Sequence, residues 1–252
     1  METGIRARYV YVIVFSLVVA LGSSAHPVAP DLNCSQKNDR GRFCSESSSG
    51  CTTLMRAAES GNLNRVRMEL DRGADVNARL SSGHTALMLA SAAGQLRVVT
   101  ALLKAGADPN ARAFSFHSGE FSTLMAGLDR CNKDWMRILK AMIGAGGEVN
   151  PKGPFSRSPL MYAIERKDLV LIKALLASGA DVNLKSDIGI TPLMTATVSS
   201  SPSIEAVKLL LSAGADTNAR SKDGETALSL LDKYSSDRTT RDQIGRLLKT
   251  TP

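Results

Sequence analysis

Residues 85–110 read TALMLASAAGQLRVVTALLKAGADPN. The stretch combines a Thr-initiated short helix, a Gly turn, a longer amphipathic helix and a Gly-Ala-Asp-x-Asn ending. Similar endings recur along the chain, with Gly-Glu in place of Ala-Asp in the third copy, and they begin at Gly73, Gly106, Gly146, Gly179 and Gly214. The steps between these glycines are 33, 40, 33 and 35 residues. A period near 33 residues predicts an array of stacked repeats rather than one large globular core.

A four-residue element opens each repeat, and its first residue is always Thr or Ser, which are preferred helix N-caps. These elements begin at Thr52, Thr85, Ser122, Ser158, Thr191 and Thr226. Pro159 and Pro192 follow two of the caps, where proline fits the first helical turn. In the second predicted helix of each repeat, apolar residues such as Leu96, Val99 and Leu103 fall on one face. Only a stack of such helix pairs can bury these faces.

These elements resemble the ankyrin-repeat family, in which Thr-Pro-Leu-His opens the first helix and Gly-Ala-Asp ends the second. The resemblance runs from Thr52 to the C-terminal end of the sequence. It implies an all-α ankyrin-repeat solenoid of five repeats with short β-hairpins between them. A sixth unit, with helices predicted at 226–233 and 239–249, lacks the Gly-Ala-Asp ending and is typical of a polar C-terminal cap. Met replaces the family's His in five repeats, at Met55, Met88, Met125, Met161 and Met194, and we interpret this change as a repacked core.

The first 25 residues predict a signal peptide that is cleaved after Ala25. Arg6 and Arg8 precede an apolar run over 9–21, and small residues follow it. The run is shorter than the roughly 20 residues that span a bilayer, although an uncleaved anchor is the alternative. We therefore divide the chain into a signal peptide (1–25), a polar tether (26–50) and the ankyrin-repeat domain (51–252). The expected location is periplasmic, with secretion as the alternative, and no membrane insertion is expected after cleavage.

Four cysteines are present, Cys34, Cys44, Cys51 and Cys131, and export would permit disulfides. Three complete pairings exist. Repeats contact only their neighbours, which disfavours a Cys51–Cys131 bond. Cys34 paired with Cys44 or with Cys51 is the favoured interpretation. Because no Cys-x-x-C occurs, neither a zinc ribbon nor thioredoxin chemistry is indicated.

The sequence contains no phosphate loop, no Gly-x-Ser-x-Gly elbow and no His-Glu-x-x-His motif. It therefore predicts a non-enzymatic protein with no cofactor and no metal site. The recurring Asp residues are interpreted as turn formers, and His84 as a solvated loop residue. The family resemblance implies a protein partner that binds a concave face, which the hairpin tips and the exposed sides of the first helices form. We expect the protein to be a monomer.

A row of basic residues is the first candidate for partner binding. The chain carries a formal net charge of +7, and a basic residue stands two positions after each terminal Asn. We call this set the basic ladder: Arg79, Arg112, Lys152, Lys185 and Arg220. A stacked array would align the ladder along one edge, where it could steer an acidic protein partner. Solvated turn residues are the alternative interpretation. Nucleic acid is not expected, because no aromatic stacking surface accompanies the ladder and the signal peptide predicts export.

A long loop is the second candidate. The hairpin over residues 110–122, which we call the aromatic hairpin, spans 12 positions from Asn110 to Ser122, whereas the other hairpins span 8. It contains Phe114, Phe116 and Phe121, and Phe155 lies in the next hairpin. Such rings either anchor a partner or fold back over the widened joint.

Two rival functions stay open at this point. One is a redox or oxidative-stress-linked periplasmic role that uses Cys131 and the repeated methionines. The other is a secreted effector that binds a host protein through the same concave face.

Overall fold

A computed structural model describes residues 50–115, 119–128, 134–153, 157–198 and 202–250, without the side chains of residues 115 and 119–121. The predicted signal peptide and almost all of the tether lie outside these residues. In the described residues, five helix pairs and a C-terminal pair follow one another. The elements are α1 (Thr53–Glu59), α2 (Leu63–Asp71), α3 (Ala86–Ala92), α4 (Leu96–Lys104), β1 (Arg112–Ser115), β2 (Gly119–Ser122), α5 (Thr123–Ala126), α6 (Trp135–Gly144), α7 (Pro159–Glu165), α8 (Leu169–Ala177), α9 (Pro192–Thr197), α10 (Ile204–Ser212), α11 (Ala227–Tyr234) and α12 (Arg238–Thr250).

The helices form two layers. First helices pack against first helices of adjacent repeats, as α1 does with α3 and α9 with α11, and second helices do the same, as α2 does with α4 and α10 with α12. One hydrophobic cluster runs between the layers from Leu54 in the first repeat to Leu248 in the last helix. The structure therefore confirms the solenoid of five repeats and a C-terminal pair. In that pair, Ile244 and Leu248 are buried and most of the outer residues are exposed.

The predicted N-caps are confirmed for all six first helices. In each one the Thr or Ser hydroxyl accepts a hydrogen bond from the backbone N–H three residues later, as Thr85 does from Met88 at 3.3 Å and Thr191 from Met194 at 3.2 Å. The equivalent caps are Thr52, Ser122, Ser158 and Thr226. Each cap satisfies a backbone donor that has no partner within the helix, so the hydroxyl fixes where the first helix begins.

The Gly-Ala-Asp-x-Asn endings act as turns within a repeat. Gly106, Gly179 and Gly214 have φ between 85° and 88°, a region that side chains other than hydrogen disfavour. The Asp carboxylate then accepts from the backbone N–H two residues on, as Asp181 does from Asn183 at 2.8 Å. The interpretation of these Asp residues as turn formers is confirmed.

The terminal Asn of each of the first four endings ties its repeat to the next one. Asn183 Nδ2 donates to the Gly214 carbonyl at 3.0 Å, and Asn183 Oδ1 accepts from the Asp216 N–H at 2.8 Å. The other three junctions are bridged in the same way by Asn77, Asn110 and Asn150. These two-point bridges supply polar coupling between repeats in a chain whose Met residues replace the family's His.

The first repeat presents a charged pair where the other repeats are apolar. Arg65 and Glu69 form an ion pair at 2.8 Å, at the positions that Val98 and Leu102 occupy, fully buried, in the second repeat. The Thr53 hydroxyl donates to Glu69 at 2.7 Å. This bond, more than the nearby arginines, lowers the pKa of the Glu69 carboxyl, although burial opposes it. In the described residues this repeat is the first, and a polar outer face is typical of the terminal repeat of an array.

His84 is not a solvated loop residue, and that interpretation is wrong. Its side chain is only 5% exposed, and its Nδ1 lies 2.7 Å from the Ser82 hydroxyl. Burial lowers the pKa of the imidazole below its ordinary value, because a charged ring would lose solvation there. His84 is therefore part of the packing of the hairpin between the first two repeats.

Candidate protein-binding face

Backbone hydrogen bonds join neighbouring hairpins at two of the junctions between repeats. Lys222 N donates to the Ile188 carbonyl at 3.0 Å, which joins the last two hairpins, and Phe114 N donates to the Ser82 carbonyl at 2.8 Å. The contact is tight, because a Cβ added at Gly189 would lie 2.9 Å from Lys222 N. The tips of these two pairs of neighbouring hairpins are thus held in register.

The basic ladder lies along the edge that the hairpins form, and the structure shows how its members are aligned. Arg79 Nη1 donates to the Arg112 carbonyl at 3.1 Å, and Arg112 Nη1 donates to the Lys152 carbonyl at 3.2 Å. Lys185 Nζ donates to the Arg220 carbonyl at 3.4 Å. Each of these side chains reaches across a repeat junction to the backbone of the next ladder residue.

Exposure of the ladder is high despite these bonds. Arg79, Lys152, Lys185 and Arg220 are exposed, and Arg112 is half-buried. An Arg guanidinium has five N–H donors and a Lys ammonium has three, which is more than one bond to a carbonyl uses. The edge therefore presents basic side chains, three of which are held by a bond to the next hairpin.

The aromatic hairpin forms the strand pair β1 and β2. The strands are antiparallel, with Arg112 opposite Ser122 and Phe114 opposite Glu120. Phe114 is 56% exposed, whereas Ala113 beside it is buried against Met88. The structure therefore places the Phe114 ring on the outside of the hairpin. The side chain of Phe121, and all of Phe116 and Phe155, lie outside the described residues, so their roles stay predictions.

Cysteine pairing is only partly described. Cys51, directly before the first repeat, is disulfide-bonded. The other three cysteines, Cys34, Cys44 and Cys131, lie outside the described residues, and the disulfide partner of Cys51 is therefore one of them. The pairing of Cys34 with Cys44 or Cys51 stays a prediction.

The described residues contain little that a redox or metal-based function would use. Four of the five repeated methionines, Met55, Met88, Met161 and Met194, are at most 1% exposed. Within the same part of the chain, no group of three or more His, Cys, Asp and Glu side chains is placed to hold a metal ion. No helix among the described residues has the length and apolar character that crossing a membrane requires.

The family model for ankyrin repeats, which represents three copies, matches residues 18–113 and 129–231. This is most of the chain, and the protein belongs to the ankyrin-repeat family. Its members are generally non-enzymatic interaction modules. A search of curated proteins gives no match.

Several solved structures share the fold. An ankyrin repeat domain from Acinetobacter baumannii AYE is 28% identical with a TM-score of 0.67, and the match covers 79% of this chain and 96% of that one. The ankyrin repeat protein EF0377 is 24% identical with a TM-score of 0.65, covering 79% and 98%. A chain in the complex of the predatory endopeptidase Bd0816 from Bdellovibrio bacteriovorus with immunity protein Bd3460 is 22% identical with a TM-score of 0.63, covering 81% and 100%.

Two features of the face escaped the sequence analysis. One is the direct bonding of neighbouring hairpins, which is made by backbone groups and leaves no residue signature. The other is the Asn bridge between repeats, for which a signal existed, because Asn recurs two residues after the acidic residue of every ending. The interpretation of the endings as turns concerns their Asp residues and assigns no role to this Asn.

Proposed function

We propose that this chain is an exported, non-enzymatic module that binds an acidic protein partner across its hairpin edge and first-helix face. The observation that supports this proposal is the basic ladder: Arg79, Arg112 and Lys185 each bond to the backbone of the next repeat, and four of the five ladder residues are exposed. Side chains that are already ordered lose less entropy when a partner binds. The complex of Bd0816 with Bd3460 includes a chain of this fold, which supports a protein partner.

Capture of a partner by the full chain, from extracts of its native host, tests the proposal. The test variant changes Arg79, Lys185 and Arg220 to Gln. We expect it to lose the partner, because rim charges steer association. If partners are captured equally well, the ladder is not the binding edge.

A charge-matched control removes three positive charges from the other layer. Arg97, Lys173 and Lys208 are exposed residues of the second helices, and their change to Gln alters the net charge by the same amount. We expect this control to keep the partner. Loss of the partner in both variants would show that only the net charge matters.

The aromatic hairpin provides a second contact in this proposal. Changing Phe114, Phe116 and Phe121 to Ser should abolish capture and leave the melting curve nearly unchanged. Phe114→Ser alone should weaken capture. It should hardly change stability, because the exposed ring of Phe114 contributes little to the core. A large fall in melting temperature would mean that the rings belong to the core.

Export is proposed from the N-terminal sequence and is tested by fractionation of the native host. We expect a chain shortened by 25 residues in the periplasmic fraction. A shortened chain in the medium would favour the secreted effector, and full-length protein among cytoplasmic markers would refute both locations.

A further inference from the structure

The turn between the helices of the fourth repeat contains a lysine in a backbone conformation that favours glycine. Lys167 has a φ of 54°, whereas its counterparts in the first two repeats, Gly61 and Gly94, have φ values of 74° and 75°. Among the described residues, Lys167 is the one non-glycine residue with a positive φ. Otherwise the turn is the same, because the following N–H bonds five residues back in each case, as Asp168 N does to the Ala163 carbonyl at 3.0 Å.

Nothing in the turn itself requires a lysine. Glycine makes the same turn twice in this chain without the steric conflict that a Cβ meets in the left-handed region. The Lys167 side chain is exposed, and in the described part of the chain its ammonium has no ion-pair or hydrogen-bond partner. Residues with a strained backbone that the local fold does not require are concentrated at binding and catalytic sites. The exposed side chain of Lys167 is therefore a candidate for contact with a ligand.

A second cation stands beside it. Arg166 is the C-cap of α7, its guanidinium carbon lies 5.4 Å from the centre of the Tyr162 ring, and its Nη1 donates to the Tyr162 hydroxyl at 2.8 Å. The two flanking acids have contacts of their own. Glu165 pairs with Arg157 at 2.9 Å, and the buried carboxylate of Asp168 accepts from the Leu171 N–H at 3.1 Å. We call the adjacent basic residues Arg166 and Lys167 the basic corner.

The basic corner lies at the opposite end of α7 from the basic ladder. Ladder residues stand in the hairpins that precede the first helices, whereas Arg166 and Lys167 follow the last residue of α7. The helix has seven residues, about 10 Å at 1.5 Å per residue. A partner that lies across the first-helix face would therefore meet positive charge at both of its edges.

We propose that Lys167, supported by Arg166, is a contact residue for a carboxylate-bearing segment of the protein partner, which the basic ladder holds at the other edge. This inference rests on the proposed function and deepens it. It requires the partner to place carboxylates at both ends of α7, against the ladder in the hairpins and against Lys167 in the helix–helix turn of the fourth repeat.

A fluorescent decaglutamate peptide, titrated at low salt with anisotropy as the readout, tests the proposal on the full chain. Lys167→Ala removes the charge and keeps the strained backbone, and Lys173→Ala removes the same charge from an exposed position on α8 of the same repeat. Lys167→Ala should weaken binding about two- to fivefold, the range of an exposed ion pair. Lys173→Ala should leave the affinity nearly unchanged, and Lys167→Arg should retain it.

Lys185→Ala, in the ladder, separates this inference from the proposed function. If Lys185→Ala weakens binding and Lys167→Ala behaves like Lys173→Ala, the contact at Lys167 is refuted and the hairpin edge stands. If only Lys167→Ala weakens binding, the hairpin edge fails and the contact stands. If all three variants behave alike, both fail. Tighter binding of decathymidylate with the same ranking of variants would overturn the assignment to an acidic protein.

Discussion

Replacing Asn183 with alanine should weaken the junction between the fourth and fifth repeats and leave the fold of each repeat intact. The side chain makes two bonds across that junction, to the Gly214 carbonyl at 3.0 Å and from the Asp216 N–H at 2.8 Å. The Asn183 backbone N–H, which donates to Asp181 at 2.8 Å, is kept in the variant. The substitution therefore removes only the coupling between repeats.

The size of the effect follows from the two bonds. A neutral hydrogen bond contributes about 0.5–1.5 kcal/mol net. Water can reach the groups left behind, because Asn183, Gly214 and Asp216 are all exposed, so no further desolvation penalty arises. We expect a loss of about 1–2 kcal/mol in the free energy of unfolding, and a broader transition because repeat arrays depend on their nearest-neighbour interfaces.

The chain contains a matched control for this measurement. Asn218 ends the same motif in the fifth repeat, is equally exposed, and keeps the same backbone bond to its Asp at 2.8 Å. No further Gly-Ala-Asp turn follows, and in the described residues its side chain makes no bridge. Urea unfolding followed by circular dichroism should give a change within about 0.5 kcal/mol for Asn218→Ala. Equal losses in the two variants would refute the assignment of Asn183 as a coupling residue.

Three further predictions concern the backbone and pH. Lys167→Gly should raise the free energy of unfolding by about 0.5–1 kcal/mol, since relieved strain outweighs lost backbone entropy, whereas an unchanged urea midpoint would exclude strain. His84→Gln should flatten the loss of stability expected below about pH 6.5, because the pKa of His84 is lowered in the fold and the unfolded chain takes up the proton first; identical pH profiles would contradict this. Gly189→Ala should lower the melting temperature more than Gly179→Ala, because only the former places its Cβ 2.9 Å from a backbone atom.

Repetition explains why much of the fold could be predicted. A Thr or Ser before each first helix satisfies a backbone donor, and a glycine after each of the first five second helices supplies a positive φ. Both elements therefore recur at a spacing that only a stacked array explains. The predicted sixth unit also matches, with α11 and α12 at Ala227–Tyr234 and Arg238–Thr250. Each of these features depends on local backbone chemistry, which can be predicted from the residue types alone.

Features that depend on contact between repeats were harder to predict. The position of His84 in a predicted hairpin between repeats favours a solvated ring, yet the hairpin packs the ring and leaves it 5% exposed. The charged pair of Arg65 and Glu69 did carry a signal, because these residues replace the apolar residues of the second-helix face. To recognise that signal, one must know which face of a second helix is covered by the preceding repeat in the rest of the array.

The two interpretations of the basic ladder, as turn residues or as a binding edge, do not exclude each other. Arg79 and Arg112 each donate a guanidinium N–H to the backbone of the next ladder residue, so they stabilise the array. That same bond fixes where the remaining donors lie, which lowers the entropy lost when a carboxylate binds. Stability and binding therefore depend on the same side chains, and a ladder variant must be measured in both assays. A variant that melts normally and still loses its partner would assign a binding role to the ladder side chains themselves.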